Sequence, residues 1–100
     1  MIRIEAHKTR KLGVTYIEDL FSQAEIGSMT PQFIKGYAEQ HNNKICCCFS
    51  KLLSVIGRHI RIGNFNVDDF YIYIVDDNKV THFNKKYQIQ DWPFGYFDEL

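Results

Sequence analysis

Three consecutive thiols, Cys46-Cys47-Cys48, and four histidines have the widest chemical range in this chain. A structural zinc site needs four donors converging as a tetrahedron, and a catalytic one needs three. On a helix, neighbouring cysteines point about 100° apart and do not share an ion. No C-x-x-C or H-x-x-x-H spacing occurs, and His7, His41, His59 and His82 are scattered. Free cysteine packs as a small hydrophobe, so Cys46 and Cys48 are assigned to the core. Cys47 falls on the polar side of a helix over Ile45–Ile56 and is the thiol within reach, with nothing beside it to activate it. No metal and no cofactor are expected.

Acidic residues offer a second chemistry. Asp68 or Asp69, a strand, then Asp77-Asn78-Lys79 imitates the spacing of metal-dependent nucleases. Such sites hold a divalent ion between two carboxylates and place a lysine near the attacked phosphate. Asp77 and Lys79, however, sit in turn chemistry and should face solvent. The glycines form neither G-x-x-x-x-G-K-[ST] nor G-x-G-x-x-G, and no G-x-S-x-G elbow is present. Lys8, Arg10 and Lys11 cluster without the aromatic interleaving of single-strand binders, and a solvated loop accounts for them.

A metal-free ribonuclease is the stronger enzymatic alternative. His59, Arg61, Tyr71, Tyr73, His82, Lys85, Lys86 and Tyr87 fall on neighbouring expected strands. Cations there could hold a phosphate while histidine or tyrosine moves protons. The tract Ile60-Arg61-Ile62-Gly63, then Phe70–Val75, an acidic turn and Val80, resembles bacterial ribonuclease toxins of the RelE type. That resemblance implies helices followed by a terminal antiparallel sheet. It covers about 30 residues, and the neutral charge and acidic end of this chain depart from the strongly basic character of those toxins. A likeness of fold does not by itself carry function.

The elements that must position these groups follow from periodicity. Ile2, Ile4 and Ala6 alternate with Arg3, Glu5 and His7, which predicts a half-buried strand. Thr15-Tyr-Ile-Glu18 reads as a capping box opening a helix that carries Ile17, Leu20, Phe21 and Ala24 on one face and stops at Gly27. Thr30-Pro31 opens the next helix, with Ile34, Tyr37, Ala38 and His41 inward and Asn42-Asn43 at its end. Gly36 inside it marks a close backbone approach. Ile45, Cys48, Phe49, Leu52 and Ile56 have helical spacing, with Gly57 as a stop, although Ile45–Phe49 also suits a strand. Ile60 and Ile62 alternate, Phe70–Val75 is a run of β-formers, Asp76-Asp77-Asn78-Lys79 is a turn and Val80–Phe83 the return strand. Tyr87–Ile89 adds a short strand. The expectation is an α+β fold: an N-terminal strand, two to three helices, then a C-terminal antiparallel sheet of about three strands, β-α-α-α-β-β-β.

A chain of 100 residues suffices for one hydrophobic core, taken as a single domain over 1–100. Twelve basic side chains balance twelve acidic ones, so no overall basic field exists to attract nucleic acid. The charges are nonetheless blocked. Residues 1–63 carry nine basic and five acidic groups, and residues 64–100 carry three basic and seven acidic. Pairing across neighbouring elements explains this, and steering of a protein partner is the alternative. Met1–Lys11 is too polar for a secretory leader, and the apolar stretch Ile45–Ile56 is too short to span a bilayer. An odd run of adjacent cysteines does not make a disulfide scaffold, so a cytoplasmic setting is expected.

Ten of the fifteen aromatics lie between Phe65 and Phe97. The strand Phe70–Val75 puts Phe70, Ile72 and Ile74 on one face and Tyr71, Tyr73 and Val75 on the other, which helices on a single side would leave open. The segment 91–100 then places Trp92, Phe94, Tyr96 and Phe97 among Asp91, Asp98 and Glu99. Its aromatics either fold back as a core cap or form a docking tail. The expected function is a small protein-binding module that masks a partner, as an inhibitor, immunity protein or phage-borne antagonist would. Tyr71, Tyr73, Trp92, Phe94, Tyr96 and Phe97 are its anchors, and Asp91, Asp98 and Glu99 its charged rim. A second copy of the chain is an alternative occupant, as in a homo-oligomeric structural protein. Neither nucleic acid nor membrane is expected as a partner.

Overall fold

The first strand sits at the centre of the sheet. In the computed structural model, which describes residues 1–84, 86 and 89, β1 (Ile2–Ala6) lies between β2 (Lys44–Cys47) and β3 (Phe70–Ile74), and β4 (Lys79–Thr81) completes the order β2-β1-β3-β4. Both neighbours of β1 run parallel to it, and β3 and β4 form an antiparallel hairpin. Parallel strands need long crossovers. These are supplied by α1 (Ile17–Leu20), α2 (Gln23–Gly27) and α3 (Pro31–Glu39) between β1 and β2, and by α4 (Lys51–Arg61) between β2 and β3. The α+β class is as expected, and the sheet is mixed where an antiparallel one was expected.

Alternation sets the two faces. Ile4, Ile45 and Ile72 lie side by side in register, as do Ala6, Cys47 and Ile74, and all six are at most 1% exposed. They share one core with Ile26, Ile34, Leu52, Val55 and Ile56 from α2, α3 and α4. The helices therefore bury one side of the sheet. The other side carries Arg3, Glu5, His7, Cys46, Cys48, Tyr71 and Tyr73, with Tyr16 and the half-buried Val14 and Phe49 packed against its cysteines.

Ile45–Ile56 is not one helix. Its first part is β2, and α4 begins only at Lys51. β2 is covered on both faces, so its apolar run is unbroken and hides the period of two. α4 continues through Gly57 and takes in Ile60, where a strand was expected, because Leu52, Leu53, Val55, Ile56, His59 and Ile60 make one buried stripe. It ends at Gly63, whose φ of +87° suits glycine, with Gly63 N–H donating to Ile60 O at 3.1 Å. The tract resembling ribonuclease toxins thus begins in the end of a helix, at Ile60 and Arg61, and only its later part, β3 and β4, is strand.

The expected helix from Thr15 breaks at Phe21 into two short ones. Asp19, not Glu18, accepts from the N-cap amide, that of Tyr16, at 3.0 Å. Ser22-Gln-Ala-Glu25 forms a second capping box. Gly27 is not a left-handed stop. It is where Lys51 of α4 crosses, and a Cβ there would meet Lys51 Cε at 3.0 Å. A Cβ at Gly36 would meet nothing within 4 Å outside its own helix, so that glycine marks no close approach. Thr30 caps α3 as expected, accepting from Phe33 N–H at 3.1 Å. Asn42 and Asn43 both turn left-handed after α3, at φ 59° and 57°, and Asn78 does so in the β3–β4 hairpin at 48°. Beyond β4 an isolated bridge joins Phe83 to Ile89, where the expected third strand ended. Among the described residues, no helix is long and apolar enough to cross a membrane.

Candidate functional site

Polar chemistry collects on the face that the helices leave. Glu5 stands at its centre, in register with Cys46 of β2 on one side and Tyr73 of β3 on the other. One carboxylate oxygen accepts from Arg3 Nε at 2.9 Å. The other lies 3.4 Å from His7 Nε2 and accepts from the Cys46 thiol at 3.7 Å. His7 follows β1 directly, and its amide donates to Cys47 O at 2.9 Å, so the last turn of the ladder holds it. Its ring is 3% exposed and meets the Tyr16 hydroxyl at Nδ1, 3.1 Å away. That hydroxyl accepts in turn from Lys11 N–H at 2.9 Å.

Burial governs the protonation states. It pushes the Cys46 thiol up to about 11, with the Glu5 charge adding to the effect. It pushes Cys48 up to about 12, with Glu18 adding. Both are therefore thiols at neutral pH and not nucleophiles as they stand. Burial also lowers His7, against the pull of Glu5, because it disfavours the charged ring. Glu5 behaves differently. Burial raises it, but Lys44, His7 and Arg3 together hold its carboxyl below the usual range. Glu18 is raised by burial despite accepting from Cys48 N–H at 3.1 Å and Phe49 N–H at 3.3 Å.

The β3 half of the face is aromatic. Tyr71 and Tyr73 are half-buried. The Arg3 guanidinium lies 4.4 Å from the Tyr73 ring centre and 5.8 Å from that of Tyr71. The Tyr73 hydroxyl donates to Asn78 in the hairpin turn. Val80 of β4, paired with Tyr73, is 51% exposed and extends the patch.

Of the residues singled out in the sequence, Tyr71 and Tyr73 are brought together on this face. Asp91, Trp92, Phe94, Tyr96, Phe97, Asp98 and Glu99 lie outside the described residues, as do Lys85 and Tyr87. Among the described residues, the ribonuclease set is not brought together. His59 is buried on the helical side, its Nε2 2.9 Å from Met29 O and its Nδ1 3.4 Å from Asn64. Tyr71 and Tyr73 are on the opposite side of the sheet, and His82 and Arg61 are exposed. Of the nuclease candidates, Asp69 accepts from Asn66 N–H at 2.8 Å in a turn, and Asp77 and Lys79 are exposed at the β3–β4 hairpin. The two charge blocks meet at Lys11 and Asp76, 3.7 Å apart, whereas Arg10 pairs with Asp19 within the first block.

Cys47, expected on a polar surface, is 0% exposed in the main core, while Cys46 and Cys48 face the polar side. The helical reading of residues 45–56 misplaced Cys47, while Cys46 and Cys48 are buried as expected, in a smaller cluster with Tyr16. Glu5 and His7, two apart on a strand, already shared a face in the sequence, but Cys46 could join them only once β2 was recognised. No family model, curated protein or solved structure matches the chain.

Proposed function

We propose that this chain is a small protein-binding module that works by masking a partner protein, in the manner of an inhibitor, an immunity protein or an antagonist carried by a phage or mobile element. One observation carries the proposal: the Arg3–Tyr71–Tyr73 patch on the sheet face opposite the helices. Tyrosine and arginine dominate the energetics of interfaces because they bury large, rigid area and keep a polar handle. β1 and β3 hold these side chains on rigid strands, which lowers the entropy cost of docking. In the same reading, Trp92, Phe94, Tyr96 and Phe97 are further anchors, and Asp91, Asp98 and Glu99, which flank them in sequence, supply the charge. The three free cysteines fit a reducing, cytoplasmic setting. The reading needs no cofactor, nucleic acid or membrane.

The test pairs capture with variants. The tagged chain is used as bait in lysate of its host, beside the Tyr71→Ala/Tyr73→Ala double variant and a chain ending at residue 90. A stoichiometric partner lost in the double variant, with the fold intact by circular dichroism, is the expected result. Equal capture by both proteins refutes the assignment of the patch. A dimer by light scattering that dissociates in the double variant would make the partner a second copy. A monomer that captures nothing would remove the proposal.

A further inference from the structure

We infer that Glu5, His7 and Cys46 form a binding site for a single zinc-like transition-metal ion, with His7 Nε2, Cys46 Sγ and a Glu5 carboxylate oxygen as its three protein ligands. These donor atoms all lie within 4.8 Å of one another. A tetrahedral zinc with ordinary bond lengths separates nitrogen from oxygen by about 3.4 Å and sulfur from oxygen by about 3.6 Å. The protein sets the corresponding distances at 3.4 and 3.7 Å. Two of the three edges thus already have the required length. The third, between His7 and Cys46, closes to about 3.6 Å on binding.

The hydrogen bonding favours the same conclusion. One Glu5 oxygen serves both the imidazole and the thiol, at distances long for hydrogen bonds. His7 and Cys46 are 3% and 8% exposed. A cation between the three would satisfy all of them at once. Thiolate and carboxylate together cancel a divalent charge, so the loaded site is neutral where it is buried. The Cys46 S–H bond breaks, a metal–sulfur bond forms, and the proton passes to solvent.

Positioning comes from rigid parts. Glu5 and Cys46 are register partners on adjacent parallel strands, and His7 is pinned to β2 by its own amide. The Tyr16 hydroxyl at Nδ1, fixed by the Lys11 amide, orients the ring so that Nε2 faces the ion. Such outer partners typically tune affinity by about 10–100-fold. Mixed sulfur, nitrogen and oxygen donors select zinc or cobalt over magnesium or calcium. Three protein ligands leave a fourth position for water or for a donor group of a bound molecule.

Cobalt reports the site directly. Protein stripped with chelator and titrated with Co²⁺ should show a thiolate-to-cobalt charge-transfer band and tetrahedral visible bands, saturating at one equivalent and displaced by Zn²⁺. The band should vanish in Cys46→Ser and persist in Cys48→Ser. Glu5→Gln, at a half-buried position, should weaken Zn²⁺ binding by about tenfold or more. It should also reduce the rise in melting temperature that Zn²⁺ gives the parent protein. Absence of the band at micromolar protein, its survival in Cys46→Ser, or its loss in Cys48→Ser would overturn the assignment. Should Cys46→Ser fail to fold, Glu5→Gln decides: unchanged zinc affinity refutes the site.

Discussion

The two faces of the sheet are built from the same strands on opposite terms. Under the helices, Ile4, Ile45 and Ile72 pack in a continuous row, and any change of volume there is felt. On the far side, Glu5 occupies the equivalent central place between Cys46 and Tyr73, and specific polar partners replace close packing. The cysteine run makes the contrast sharpest, because Cys47 belongs to the first face and Cys46 and Cys48 to the second. One face holds the fold together. The other is free to carry chemistry because the first already supplies a core.

Ile72→Ala should separate the faces most clearly. It should cost about 2–5 kcal/mol by denaturant unfolding, as large-to-small changes in a core do. Tyr73→Ala, one residue along, should cost about 1 kcal/mol or less. Equal losses would make the second face another core and break the comparison. Thiol labelling sharpens it next. Native protein should resist iodoacetamide at neutral pH, because Cys46 and Cys48 titrate only near about 11 and about 12 and Cys47 is sealed under the helices. Denaturant should release all three. Rapid native labelling at Cys47 would contradict its place in the core.

The two carboxylates should give opposite responses to pH. Glu18, raised above its ordinary 4.5, favours its protonated form in the folded chain. Stability is therefore lost as pH climbs from 4.5 toward the folded value, and Glu18→Gln should abolish that slope. Glu5, lowered below 4.5, contributes stability that disappears as pH falls through its folded value, and Glu5→Gln should remove that loss instead. His7, lowered below its ordinary 6.5, adds a loss as pH drops beneath 6.5. Urea midpoints across pH 3–8 for the parent and both variants test these signs. The smallest effect belongs to Arg3→Ala, about 0.5–1 kcal/mol from its stacking on Tyr73.

Local signals were legible wherever one residue type decided the backbone. Thr30-Pro31, Asn42-Asn43 and the Asp76–Lys79 hairpin stand where the sequence put them, because capping and left-handed turns are local choices. β1 was visible because only one of its faces is aliphatic. β2 stood undecided between helix and strand, because both of its faces are covered and its period vanished. The parallel order of the sheet was also hidden, since nothing near Ile4 announces pairing with Ile45 and Ile72. The candidate site shared that fate. Glu5 and His7 were in view on one strand, while their third partner came from the strand that periodicity concealed.

The central position of β1 also has a consequence for biosynthesis. The strand leaves the ribosome before either of its neighbours, which exist only after residues 44–47 and 70–74 have been made. Until then both of its edges present unmatched amides and carbonyls, the templates on which nascent chains pair wrongly. A ribosome-stalled fragment ending before Phe70 should therefore depend on chaperones for solubility, and one that includes the β3–β4 hairpin should not.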